Sequence, residues 1–166
     1  MRSGVRLGID VGRARIGVAR CDPGAVLAVP VETVARRADD DGVDVRRILE
    51  IASEHEAIEL VVGNPLSLSG RPTASTDDAI AFAGRLAAAG GALPGGALPV
   101  RLVDERLSTV SAQRDLRAAG RSAKRQRSVV DQAAAVIILQ HAIDAERASG
   151  EAPGRLLRHD EGPQTP

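Results

Sequence analysis

Aromatic side chains are almost missing from this chain: Phe82 is the only Phe, Tyr or Trp among 166 residues. That removes the stacking platforms with which proteins grip unpaired bases. It also removes the large wedge that DNA-opening proteins push into a base stack. Any contact with nucleic acid must therefore run through phosphates. Cys21 is the only cysteine, which excludes an intramolecular disulfide and a thiolate-rich metal centre and suits a reducing compartment. No apolar run approaches the roughly 20 residues that a membrane helix needs. The opening MRSGVRLG holds no apolar signal region. The expectation is a soluble, cytoplasmic protein with no membrane partner.

Net charge is also missing, 22 basic residues balancing 22 acidic ones, with Lys124 the lone lysine. The balance hides a segregation. Between Arg101 and Arg127 eight basic residues stand against Asp104, Glu105 and Asp115, whereas between Glu32 and Glu59 nine acidic residues stand against four arginines. A chain of this length fits one domain with an adequate core. We place that domain at residues 1–148, followed by a disordered tail over 149–166, rich in Pro, Gly and charge.

Period-two alternation marks VRLGIDVG (5–12) as a strand with unlike faces. RIGVARC (15–21) is close enough to form a hairpin with it, and the turn DPG leads to AVPVETV (28–34). A helix then places Val45, Ile48, Leu49 and Ala52 on one side, followed by the buried strand IELVVGNP (58–65). A second helix is expected from about Thr76 to Ala89, a strand over PVRLVDE (99–105), a helix from Ser108 or Thr109 to about Ala119, the basic loop RSAKRQR, and a long helix from Ser128 to about Arg147. The order β-β-β-α-β-α-β-α-α implies a mixed five-stranded α/β sheet with helices on both faces.

Three positions in this scheme carry acids that one site would bring together. Asp10 interrupts an apolar strand between Gly8 and Gly12, and a buried carboxylate is costly unless paired or bound to a cation. The glycines would leave room for a phosphate chain to approach it. Asp131 shares a helical stripe with Ala134, Ala135, Ile138 and Ala142. Its bland alternative is a first-turn acid favoured by the helix dipole. Asp104 and Glu105 end a strand, where acids feeding a turn are the favoured explanation of the pair taken alone. Meeting at one place, three such carboxylates would repel one another without a cation. Mg²⁺ or Mn²⁺ suits all-oxygen ligands and supports phosphodiester hydrolysis.

The runs GIDVGRARIGVA (8–19), VVGNPLSLSG (61–70), DERLSTVSAQ (104–113) and VVDQAAAVIIL (129–139) together resemble the YqgF/RuvX family. These are RuvC-like proteins described as Holliday junction resolvases and as pre-16S rRNA nucleases. The resemblance implies an RNase H-like fold and a divalent-metal nuclease site in which Asp10, Glu105 and Asp131 match the family's acidic positions, with Asp104 inside the same motif. It also implies that Gly63-Asn64-Pro65-Leu66 borders the substrate groove. Arg13, Arg15, Arg106, Lys124 and Arg125 are candidates to hold phosphates through salt-sensitive contacts.

The expected activity is metal-dependent hydrolysis of nucleic acid, with the 5′ end of pre-16S rRNA as substrate. Branched DNA and a non-catalytic RNA-binding assembly factor are the alternatives. A sugar-kinase or actin-type ATPase shares the first hairpin but needs two duplicated domains, for which this chain is too short. A monomer or weak homodimer is expected, since no strongly apolar helix face is left over.

Overall fold

The computed structural model describes residues 1–37, 42–65, 70–104 and 123–157, the first six of the last segment by backbone alone. Strands β1 (Arg6–Val11), β2 (Arg15–Cys21) and β3 (Ala28–Ala35) form an antiparallel meander. Helix α1 (Val43–Glu54) crosses over to β4 (Glu59–Asn64), which pairs parallel with β1. Helix α2 (Ala74–Gly91) leads to β5 (Val100–Asp104), parallel to β4, and helix α3 (Ala123–Ser149) is followed by β6 (Arg155–Leu157). The sheet order is β3-β2-β1-β4-β5-β6.

Alternation divides the sheet into two unlike faces. Leu7, Ile9, Val11, Ile16, Val18, Leu60, Val62, Val100 and Leu102 pack against Ile48 and Ile51 of α1 and Phe82 and Leu86 of α2. The other face is built from small residues: Ala19, Cys21 and Ala28 with Val61 meet Ala135, Ile138, Leu139 and Ile143 of α3. Small side chains let α3 lie close to the strands. A Cβ at Gly8 would sit 2.7 Å from both the Ala135 carbonyl oxygen and the Leu139 Cβ. Gln132 donates to Thr33 Oγ1 at 2.9 Å, and Gln140 accepts from the Ala28 amide at 2.9 Å and donates to the Val26 carbonyl at 3.0 Å. These two glutamines fix α3 along the edge strand.

Three departures from the sequence reading have physical causes. The sheet has six strands rather than five, because part of the expected disordered tail is ordered. Gly150 (φ +75°) closes α3 with its amide on the Glu146 carbonyl, and Gly154 (φ +66°) brings the chain so near β5 that a Cβ would lie 2.1 Å from the Leu102 oxygen. Residues 155–157 then pair antiparallel with β5. The third departure is that Ala123 to Arg127, read as loop, already belong to α3. The predicted helix over 108–119 lies outside the described residues. No helix among the described residues is long and apolar enough to cross a membrane.

A charge network absent from the sequence reading closes the N-terminal end of β1. Arg6, Glu59 and Glu146 are 1%, 0% and 2% exposed. Arg2 spans both glutamates, at 2.9 Å from Glu146 and 3.1 Å from Glu59, and Arg101 reaches Glu59 at 2.7 Å. Arg6 donates to the Arg2 and Gly4 carbonyls and approaches Glu146 at 3.5 Å. Hydrogen bonds from Arg2 hold Glu146 below the ordinary glutamate range, with the charge of Arg6 adding to them. This contribution to stability is therefore present above about pH 4.3 and lost as pH falls through the lower folded-state value. Replacing Glu146 with Ala should cost about 3–5 kcal/mol, because it strands buried Arg6. Urea unfolding at pH 7 measures this, and a loss below about 1 kcal/mol would mean that solvent reaches the network.

Candidate active site

Asp10 lies on the α3 face, with Gly8 and Arg6, at the opposite end of β1 from the charge network. It is the one residue of β1 that is not fully buried. Directly across the hairpin is Gly17. A Cβ on Gly17 would fall 1.9 Å from the Asp131 carbonyl oxygen, so the α3 backbone rests on the strand at that point. The missing side chain is what brings Asp131 up to Asp10.

The charge of Asp131 is felt at Asp10. Burial, and then the charge of Asp131, push the Asp10 carboxyl up to about 7. Burial also raises Asp131, opposed by Arg15, whose Nε donates to Asp131 Oδ2 at 2.8 Å. With Asp131 16% exposed and Arg15 34% exposed at the side chain, this ion pair is half-sheltered at the mouth of the site. An arginine expected to hold phosphate thus also holds an acid. Because α3 begins at Ala123 among the described residues, Asp131 sits more than two turns into the helix. The first-turn dipole explanation for it is removed.

The glycines beside Asp10 do not leave space for a phosphate chain. Gly8 is filled by Ala135 and Leu139, and a Cβ on Gly12 would meet the Arg15 carbonyl oxygen at 2.6 Å, where the Gly12 amide closes the hairpin at 2.9 Å. They serve helix packing and a tight turn. Gly17 was missed in the sequence, although a glycine inside an apolar strand is a sign of close backbone approach.

Asp104 is the register partner of Asn64. Both fall in the alternation of Leu60, Val62, Val100 and Leu102, on the face of α1 and α2 and away from Asp10. Asp104 is exposed, and the Asn64 carboxamide oxygen is buried without a hydrogen-bond partner among the described residues. Arg13 is exposed on the hairpin tip. Glu105 and Arg106 lie outside the described residues, as do the side chains of Lys124 and Arg125. Among the described residues no three acids, histidines or cysteines gather into a metal-binding group. The structure therefore brings together Asp10, Asp131 and Arg15.

Known proteins share this arrangement of elements. The solved structure titled "T. thermophilus RuvC in complex with Holliday junction substrate" superposes with a TM-score of 0.54 at 19% identity, covering 90% of this chain and 99% of that one. The likeness shows the RNase H-like fold. A protein of Clavibacter michiganensis subsp. michiganensis named "Putative pre-16S rRNA nuclease" is 61% identical over 158 residues, 95% of this chain and 93% of its own. One of the same name from Leifsonia xyli subsp. xyli is 58% identical over 163 residues, 98% of this chain and all of its own. The family profile described as "RuvX: Holliday junction resolvase" matches residues 4–145, a span that includes Asp10, Arg15 and Asp131. The chain belongs to the RuvX family.

Proposed function

We propose that this protein is a nuclease that hydrolyses phosphodiester bonds with the help of Mg²⁺ or Mn²⁺, and that its substrate is the 5′ end of pre-16S rRNA. The observation that carries the reading is the meeting of Asp10 and Asp131, two carboxylates raised by burial and driven against each other where β1, β2 and α3 converge. Such a pair is unfavourable for folding alone and favourable for a cation. Its all-oxygen donors suit Mg²⁺ or Mn²⁺ rather than a softer metal.

Glu105 is the third acid of the proposal, on its place in the family motif DERLST and on the sequence alternation. Asp104 belongs to the α1 and α2 face, so the next position in the motif is the better match for Asp10. A metal held by Asp10, Asp131 and Glu105 would activate water and offset charge on the phosphate. Arg15 orients Asp131 and favours its ionised form. Arg13, Arg106, Lys124 and Arg125 supply positive charge for the strand, as phosphate contacts without base selectivity.

The names of the relatives favour precursor rRNA, and the family description favours branched DNA as a second reading. Near-absence of aromatics weighs against the latter, since the lone aromatic, Phe82, is buried and offers no aromatic wedge. The test is cleavage of a labelled pre-16S 5′ fragment beside a labelled four-way DNA junction, with Mg²⁺, Mn²⁺ or EDTA. The RNA should be cut only with metal. Preferential cutting of the junction would transfer the assignment to DNA, and binding of the RNA without cutting under any metal would make the protein an assembly factor.

A further inference from the structure

The hairpin tip that presents Asp10 on one face carries another polar site beside it. Arg13, Arg36, Arg37 and Asp78 line an open hollow of about 340 Å³. Arg36 is built into the protein: its guanidinium bridges Asp78 at 2.6 and 3.1 Å, donates to the Gly12 carbonyl at 3.1 Å and lies 5.1 Å from the centre of the Phe82 ring. Its backbone amide is tied to the Ala14 carbonyl at 2.9 Å. These bonds lock the turn carrying Arg13 to the chain carrying Arg37.

Arg13 and Arg37 are both exposed. Since Arg36 already neutralises Asp78, the four lining residues leave a charge of two positive units. Exposed like charges brought to one hollow by a rigid support favour an anion. Arginine forks match phosphate oxygens in particular.

We infer that this hollow is a phosphate-binding subsite, with Arg13 and Arg37 as its ligands and Arg36 as the residue that positions them, and that it takes a backbone phosphate of a nucleic-acid strand passing Asp10 and Asp131. The identity of the strand rests on the nuclease reading, whereas the affinity for phosphate does not. Arg13 is three positions from Asp10, a reach of at most roughly 11 Å. That is about three nucleotides of strand at roughly 3.4 Å each. Asp78 and Phe82 place the hollow on the α2 side of the sheet whereas Asp10 faces α3, so the subsite holds a flanking phosphate rather than the one that reacts.

Fluorescence anisotropy of a labelled 20-nucleotide RNA, in EDTA and from 50 to 200 mM salt, tests this with the full chain. The double variant Arg13→Ala/Arg37→Ala should bind about tenfold more weakly, and its slope of log affinity against log salt should be shallower by about 0.7 to 1, the change for one phosphate contact. Arg147→Ala, at the far end of α3, should leave both unchanged. Unchanged affinity and slope in the double variant would overturn the subsite, as would result if the sequence run Asp39-Asp40-Asp41 neutralised it. In a second arm, inorganic phosphate at 10 mM should raise the wild-type melting temperature by more than the same ionic strength of chloride, and the double variant should lose that rise together with its RNA affinity. A specific rise that the double variant loses, with RNA affinity intact, would make the pocket a free-anion site and overturn the strand assignment. Because EDTA removes metal-dependent cleavage, a failed nuclease assay leaves this result standing, and a failed binding result leaves the nuclease reading untouched.

Discussion

Asp10→Asn should abolish cleavage, by a factor of at least about 10³, and at the same time make the metal-free protein harder to unfold at pH 8. The first effect follows from removing a charge at the centre of the proposed site. The second follows from linkage. Asp10 in the folded state titrates near 7, raised by burial and by Asp131, against about 3.9 unfolded. A raised carboxyl favours folding when protonated, so the wild type is free of this penalty below about pH 4, loses stability as pH climbs through 7, and bears the full cost above it. The neutral amide bears none of it. The expected gain for the variant at pH 8 is on the order of 2–4 kcal/mol, and it should vanish at pH 4. Adding Mg²⁺ should raise the wild-type melting temperature at pH 8 and leave the variant's unchanged. Differential scanning calorimetry at the two pH values, with and without Mg²⁺, reads all of this. A variant less stable than wild type at pH 8 would show that Asp10 has a structural partner and would remove the strain argument.

Gly17→Ala should also lower activity, by less than Asp10→Asn, while acting in the opposite direction on stability. Its Cβ would land 1.9 Å from the Asp131 carbonyl oxygen, a backbone atom that cannot swing away. Either α3 lifts off β2 or the hairpin bends, and both separate Asp131 from Asp10. We expect a loss of about 3 kcal/mol or more, at or beyond the upper end of what overpacking ordinarily costs, and a fall in cleavage of at least about tenfold in the fraction that remains folded. Gly84→Ala is the matching control. Its Cβ would meet nothing within 4 Å on the exposed side of α2, so it should be neutral or stabilise by up to about 1 kcal/mol. Urea midpoints of the two variants give the contrast. Equal midpoints would mean that the contact of α3 with β2 is looser than described.

Much of this was legible because it depends on period and punctuation. Alternation around Asp10 gave β1 and the face on which the acid lies, and the motif spacing placed β2 and β5 within a residue of their ends. What stayed hidden depends on contacts between distant elements. Gly8 reads as an opening for substrate until Ala135 and Leu139 are seen to fill it. Arg15 reads as a phosphate ligand until Asp131, 116 residues later, takes its Nε. Arg6, Glu59 and Glu146 read as surface charges, because nothing local says that three strands and a helix will close over them. The last strand escaped notice for a different reason. Three residues in a Pro- and Gly-rich tail are too few to show a period, and their order comes from the exposed edge of β5. The hollow beside the hairpin tip was similarly invisible, since Arg36 and Arg37 meet Asp78 only after α2 has docked.

The docking of α3 across the sheet also sets a timetable for the chain during its synthesis. The β1–β2–β3 meander is complete by residue 35 and needs only local pairing, so Asp10 can find its place on a nascent hairpin early. Asp131 reaches it only when α3 settles onto Gly17, and the glutamate that secures the far end of that helix is residue 146. A prematurely terminated product ending before α3 would keep a strand with half of the carboxylate pair and none of the helix that joins it. Asp10 and the acid that raises its proton affinity are thus kept apart until α3 has been made. The early meander forms before that charge is in place, and the cost of assembling the site falls on the last helix to arrive.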